Sequence, residues 1–212
     1  MLTGKFIKIA RTVLKIHQIE LAEMAGVKNK QKVIALEADE GLCDEKPSMI
    51  AGIQNIFTNR RIYQIIKNDK LITRYIPDMD SKSLMDIDVN IKLGKPIIFG
   101  EFIRAARAAI DINQKDFAAI LGISNKTLVA LESYNGIIKG KDKLNKTMLD
   151  FFARNNVFQT YTNGELIITC DLKLSEKDLI SLDIEEKMFK NQEQFIPFTD
   201  HQEYKKSIKA YS

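Results

Sequence analysis

Apolar residues recur at helical spacing along much of the chain, and the pattern is clearest from residue 100 onward. Phe102, Ile103, Ala106 and Ile110 share one face of a 3.6-residue period and predict a first helix over about 100–110. Asp111-Ile112-Asn113 interrupts it. Asn113 is placed to cap a second helix, from Gln114 to about Leu121, whose inner face holds Phe117, Ala118 and Leu121. Gly122 supplies a turn that needs a positive backbone angle. Ser124 then caps a third helix with Leu128, Ala130 and Leu131 toward its buried side. Leu144, Met148, Phe151 and Phe152 predict a fourth amphipathic helix over about 142–154. The β-rich runs 157–161 and 165–169 flank Thr162-Asn163-Gly164, and Asn-Gly between such runs is a strong hairpin signal.

The same pattern occurs earlier in the chain. At an offset of 96 residues, Gly4, Phe6, Ile7, Ala10, Arg11, Ile16, Gln18, Ala22 and Gly26 match Gly100, Phe102, Ile103, Ala106, Arg107, Ile112, Gln114, Ala118 and Gly122. Asn29-Lys30 continues the match with Asn125-Lys126. The offset then falls to 95, where Ala35-Leu36-Glu37 matches Ala130-Leu131-Glu132 and Ile62-Tyr63-Gln64 pairs with Val157-Phe158-Gln159. Copy one therefore carries one extra residue inside or just before its third helix. A repeat of about 70 residues is a duplicated domain rather than a solenoid. The predicted fold is mainly α with small β-hairpins. Its segments are a first helical domain with β extension (1–74), a connector (75–99), a second such domain (100–170) and a C-terminal tail (171–212).

The connector contains Pro77, Gly94 and Pro96 with Asp78-Met79-Asp80 and Asp86-Ile87-Asp88, and Leu84, Ile87, Val89 and Ile91 suggest a strand within it. In the tail, Ser175-Glu176-Lys177-Asp178 marks a helix start. Leu179, Leu182, Ile184, Met188 and Phe189 form an apolar stripe over 176–190, which serves either self-packing or a partner. Phe195-Ile196-Pro197-Phe198 is a further apolar knot, and residues 200–212 suggest a short terminal helix.

Charge adds a polarity to this plan. Net charge is only +4. Residues 1–36 nevertheless hold seven Lys/Arg against two Glu, while residues 171–200 hold eight Asp/Glu against four Lys. The two ends are therefore expected to meet different partners. Cys43 and Cys170 fit no spaced motif and read as free thiols in a reducing compartment. The first residues carry no apolar run of a signal peptide, and no stretch approaches a membrane span. A cytoplasmic protein is expected. His17 and His201 stand in no metal-ligand spacing and no phosphate-binding glycine loop is present, so neither an enzyme, a metal site nor a cofactor is expected.

The ordered set of Ala-Arg in helix one, Gln opening helix two, Ala within it, Gly in the turn, Ser124-x-x-Thr127-Leu128 and a Glu closing helix three resembles the lambda-repressor-like, or Xre-type, helix-turn-helix regulators. The hairpin that follows is similar to the subfamily with a short β extension. The resemblance covers about 4–74 and 100–169. It implies two helix-turn-helix domains, each placing helix three in the major groove of double-stranded operator DNA. It implies that Gln18 and Gln114 hold phosphates, with Lys115 beside the second. The implied base-reading ends are Ser124, Asn125, Lys126 and Thr127 in copy two and Lys28, Asn29, Lys30, Gln31 and Lys32 in copy one. Asn suits adenine and Lys suits guanine. It further implies structural ion pairs Arg11–Glu37 and Arg107–Glu132. Apart from the resemblance, the C-terminal region with its apolar stripe and the β extensions are the two places where a homodimer is expected to form if it does. Two departures are Ala35 and Ala130, where a polar reader is common, and the inserted residue of copy one. Copy one is expected to contact phosphates more than bases, or to serve dimerisation or partner binding. The competing expectation is a protein-binding module of the same fold, an antitoxin or anti-repressor.

Overall fold

In the computed structural model the described residues are 1–39, 41–79, 85, 87, 89–90 and 93–182. Met1–Lys173 form one compact unit and Leu174–Ser212 a second. The first is mainly helical with one small antiparallel sheet. Copy one contributes α1 (Gly4–Val13), α2 (Gln18–Met24), α3 (Lys30–Ala38), α4 (Pro47–Thr58), β1 (Ile62–Lys67) and β2 (Lys70–Tyr75). Copy two contributes α5 (Gly100–Ala109), α6 (Gln114–Leu121), α7 (Asn125–Ser133), α8 (Asp142–Arg154), β3 (Val157–Thr162) and β4 (Glu165–Asp171).

The local causes of these elements are duplicated along with them. The Asn113 side chain accepts from the Asp116 N–H and starts α6, and Gly122 ends it at φ 65°. Both hairpins turn on residues with positive φ: Asn68 and Asp69 in the first, Asn163 and Gly164 in the second. Lys15 and Asp111, equivalent positions after helix one, are both left-handed, as are Arg61 and Asn156 before the first strand of each hairpin. Gly4 and Gly100 have a different reason to be glycine. A Cβ on Gly100 would stand 2.1 Å from the Tyr134 carbonyl oxygen, and one on Gly4 1.8 Å from that of Leu36. Helix one can close on the end of helix three only without that atom.

Each core centres on the same edge-to-face pair. Phe6 meets Phe57 at 5.5 Å between ring centroids, and Phe102 meets Phe152 at 5.4 Å. Gln64 and Gln159, matched in the repeat, donate to the backbone carbonyls of Met1 and Ile97 and so tie each hairpin to the segment before its helix one.

The two copies are joined in two places. The hairpins combine into a single sheet of order β1-β2-β4-β3. In the β2–β4 pairing, Thr73 lies opposite Ile168, and these are equivalent positions at the 95-residue offset. Ile72↔Thr169 and Arg74↔Ile167 are likewise exchanged by the repeat. The register therefore has a two-fold axis through the Thr73–Ile168 pair. The two β extensions, expected as one of two possible homodimer contacts, pair with each other within one chain and leave β1 and β3 as the edges.

The second junction is α1 against α5, with the equivalent residues Ile9 and Ala105 fully buried. Polar contacts lock it. Arg104 donates from Nε to the Thr12 carbonyl (3.0 Å) and from Nη2 to that of Val13 (3.0 Å), while Lys15 donates to the Ser133 carbonyl at 2.6 Å. At the related position Lys8 pairs with Asp111. Burial lowers the pKa of the Arg104 guanidinium, against the opposing pull of Glu101. Partial burial and the nearby Arg104 charge both lower that of Lys15.

The connector strand does not form at the described positions. Met85, Ile87, Val89 and Asn90 are helical, and the Leu93 N–H donates to the Val89 carbonyl. Ile87 is fully buried while Val89 is exposed, although a strand would set both on one face. Leu84 and Ile91 lie outside the described residues. In the second unit, residues 176–182 are helical. Ser175 Oγ accepts from the Asp178 N–H while Asp178 accepts from the Ser175 N–H, a reciprocal cap. The remaining tail expectations, including dimerisation through 183–212, fall outside the described residues.

The Thr73 hydroxyl on the axis is fully buried and has no hydrogen-bond partner. A buried hydroxyl without a partner costs about 1–3 kcal/mol. Thr73→Val keeps the shape and removes the hydroxyl, so it is expected to raise stability by about 1 kcal/mol, read as a higher denaturant midpoint at unchanged m-value.

Candidate nucleic-acid interface

Helix three of each copy is held from behind by one ion-pair network. Arg11 grips Glu37 with two parallel hydrogen bonds (Nε to Oε1, 2.6 Å; Nη2 to Oε2, 3.0 Å) and donates from Nη1 to the Ile16 carbonyl at 2.9 Å. Arg107 makes the same fork with Glu132 and donates to the Ile112 carbonyl at 2.6 Å. Both glutamates are buried. The guanidinium fixes the end of helix one, the start of helix two and the end of helix three together.

Gln18 and Gln114 belong to these networks. Their Nε2 atoms donate to Glu37 (2.8 Å) and Glu132 (2.6 Å). Each amide thus has one N–H engaged inside the protein, leaving its second N–H for an anion at the first residue of helix two. Lys115, next along α6, is exposed; its counterpart in copy one is Ile19.

The outward ends of helix three differ between the copies. In copy two, Ser124 Oγ accepts from the Thr127 N–H at 3.0 Å and lies 2.8 Å from the Thr127 hydroxyl. Those two hydroxyls satisfy each other and build the cap. Asn125 and Lys126 are exposed, with Thr127 half-buried. In copy one, Lys28, Asn29, Lys30, Gln31 and Lys32 are all exposed. Here Asn29 is the cap, its side chain accepting from the Gln31 N–H at 2.9 Å, and Lys32 meets Glu45 at 3.3 Å.

This capping corrects the sequence alignment. Matching Asn29-Lys30 to Asn125-Lys126 is natural by identity, but Asn29 does the work of Ser124. From the turn glycine to the cap residue the chain runs through four residues, 26–29, in copy one against three, 122–124, in copy two. The extra residue therefore lies in the turn, before helix three. Lys30, Gln31 and Lys32 are the positional counterparts of Asn125, Lys126 and Thr127.

Periodicity alone did not identify several residues of this surface. Val129 is 41% exposed one turn beyond Asn125, and its counterpart Ile34 is half-buried. Ile19 and Met24 on α2 and Ile120 on α6 are also exposed. Their signal was present as apolar residues off the inner face of each helix. Arg104 gave no such signal, because only its reach into copy one distinguishes it.

Among the described residues no group of His, Cys, Asp and Glu could hold a metal, and no helix is long and apolar enough to cross a membrane. Neither Cys43 nor Cys170 is in a disulfide; burial, with Asp39 and Glu45 nearby, pushes the Cys43 thiol up to about 12. No protein-family model matches the chain, and neither a curated protein nor a solved structure matches it significantly.

Removing one partner of a buried ion pair leaves the other charge uncompensated. Arg107→Ala deprives Glu132 of its cation and is expected to cost about 3–5 kcal/mol of stability. Adding Glu132→Gln to that variant should recover part of the loss in chemical denaturation.

Proposed function

We propose that this chain is a sequence-specific double-stranded DNA-binding regulator rather than an enzyme, with α3 and α7 as the major-groove helices of two helix-turn-helix motifs. The observation that carries this reading is the duplication of one arrangement. In each copy a short helix pair is rigidly buttressed by an Arg–Glu–Gln network, and helix three presents an exposed polar N-terminal turn. The residue types suit the task. Asn125 and Gln31 can bond adenine with both amide atoms, Lys126 and Lys30 can donate to guanine, and Val129 offers apolar contact to a thymine methyl. Lys28, Lys32 and Lys115, with the second N–H of Gln18 and Gln114, supply phosphate contacts.

A protein partner is the second reading, favoured by the exposed Ile19, Met24 and Ile120 on the helices preceding the readers. Co-purification separates the two: nucleic-acid absorbance supports the first, a stoichiometric protein the second.

On the DNA reading, affinity for a fragment enriched from random duplex falls steeply between 50 and 200 mM salt, as counterion release requires. Lys126→Ala and Asn125→Ala each weaken binding about tenfold to a hundredfold and relax the sequence preference at one position. Salt-independent binding, or unchanged preference in both variants, contradicts the reading.

A further inference from the structure

A duplicated helix-turn-helix can meet DNA in two ways. Copies related by translation read direct repeats, and copies related by a two-fold axis read inverted half-sites, because a duplex has its own dyads perpendicular to its length. The sequence repeat does not distinguish them. The sheet register does: Thr73 opposite Ile168 pairs a position with its own repeat equivalent, and the flanking pairs are exchanged about it. The helices follow the same relation. Lys8 and Arg104 are equivalent, as are Lys15 and Asp111, and Lys8 reaches Asp111 while Arg104 reaches the carbonyls of Thr12 and Val13 just before Lys15. Whatever direction α3 faces, α7 faces its two-fold mate.

The caps add a second condition. With Asn29 equivalent to Ser124, the three reader positions pair Lys30 with Asn125, Gln31 with Lys126 and Lys32 with Thr127. None of the three holds the same residue in both copies. The amide and the amine even exchange order: Asn then Lys in α7, Lys then Gln in α3.

Resting on the DNA-binding reading above, we propose that the target is an inverted pair of unlike half-sites, a quasi-palindrome that the chain binds in one orientation. A homodimer must read both halves with identical side chains, and this chain need not. The half-site under α7 places adenine and guanine preferences in the order opposite to that under α3, relative to the dyad.

The test is selection of bound sites from random duplex by the full chain, followed by one exchange variant. The expected motif is two dissimilar half-sites in opposite orientation. In Lys30→Asn/Gln31→Lys/Lys32→Thr, α3 acquires the reader residues of α7 while the Asn29 cap stays. Wild type should bind a perfect palindrome of the α7 half-site about tenfold or more weaker than its own motif, and the variant should reverse that order. Circular dichroism melting checks that the exposed substitutions leave the fold intact. Direct repeats, a perfect palindrome preferred by wild type, a single enriched half-site, or no shift in the variant would each overturn the inference while leaving DNA binding in place. Failure to enrich any sequence would remove the DNA reading and the inference with it.

Discussion

Thr73 faces Ile168 at the centre of the sheet, and the paired symmetry of the protein is organised about that contact. A two-stranded hairpin is marginal by itself in water. Each copy ends in one, packed against helices of its own copy. Joining β2 to β4 gives four strands, closes both inner edges, and leaves Leu71, Thr73, Leu166, Ile168 and Cys170 buried. The seam also fixes where each helical group stands, since α1 contacts β2 and α5 contacts β3 and β4. Because both halves share one chain, pairing does not depend on concentration. The seam thus holds the two helical groups, α3 and α7 included, in a fixed relation within one chain.

Covalent linkage also permits the halves to diverge. In a homodimer every contact across the axis occurs twice with the same residues. Here one side of the α1–α5 junction is an ordinary ion pair, Lys8 with Asp111. The other side sets Arg104 near Lys15, two like charges. The conflict is resolved by geometry. The guanidinium turns its planar fork to backbone carbonyls at the end of α1, and Lys15 donates to the carbonyl of Ser133 at the end of α7. Both cations thus satisfy helix C-termini, where free carbonyls and the helix dipole favour positive charge. The same freedom appears on the outer surface, where Lys30, Gln31 and Lys32 stand against Asn125, Lys126 and Thr127.

Much of each copy was legible in the sequence because its causes are local. Helical spacing, Asn113 and Ser124 caps, the Gly122 turn and the Asn163-Gly164 hairpin act over a few residues, and the bounds of α6 and α8 follow from them. Gly4, Gly100, Gln64 and Gln159 were visible as repeats, although their reasons lie in close approach and in anchoring carbonyls elsewhere. The rest was not legible because it depends on contacts between distant segments. Nothing in the strand patterns of 70–75 and 165–171 says that they pair with each other rather than with another subunit. Asn29 matched Asn125 by identity, and only the cap hydrogen bond shows that the backbone uses it as it uses Ser124. The alternation around Ile87 suggested a strand because sequence spacing carries no information on which of those side chains is covered.

The central claim is that one chain presents two reading helices from one two-fold frame to one duplex. Hydroxyl-radical footprinting of the full chain on its selected site, at measured one-to-one stoichiometry, tests it most directly. The account predicts protection on one face of the duplex in two patches about 34 Å apart, one helical turn, arranged about a dyad. A single protected patch, or protection that appears only with two chains per duplex, would contradict it.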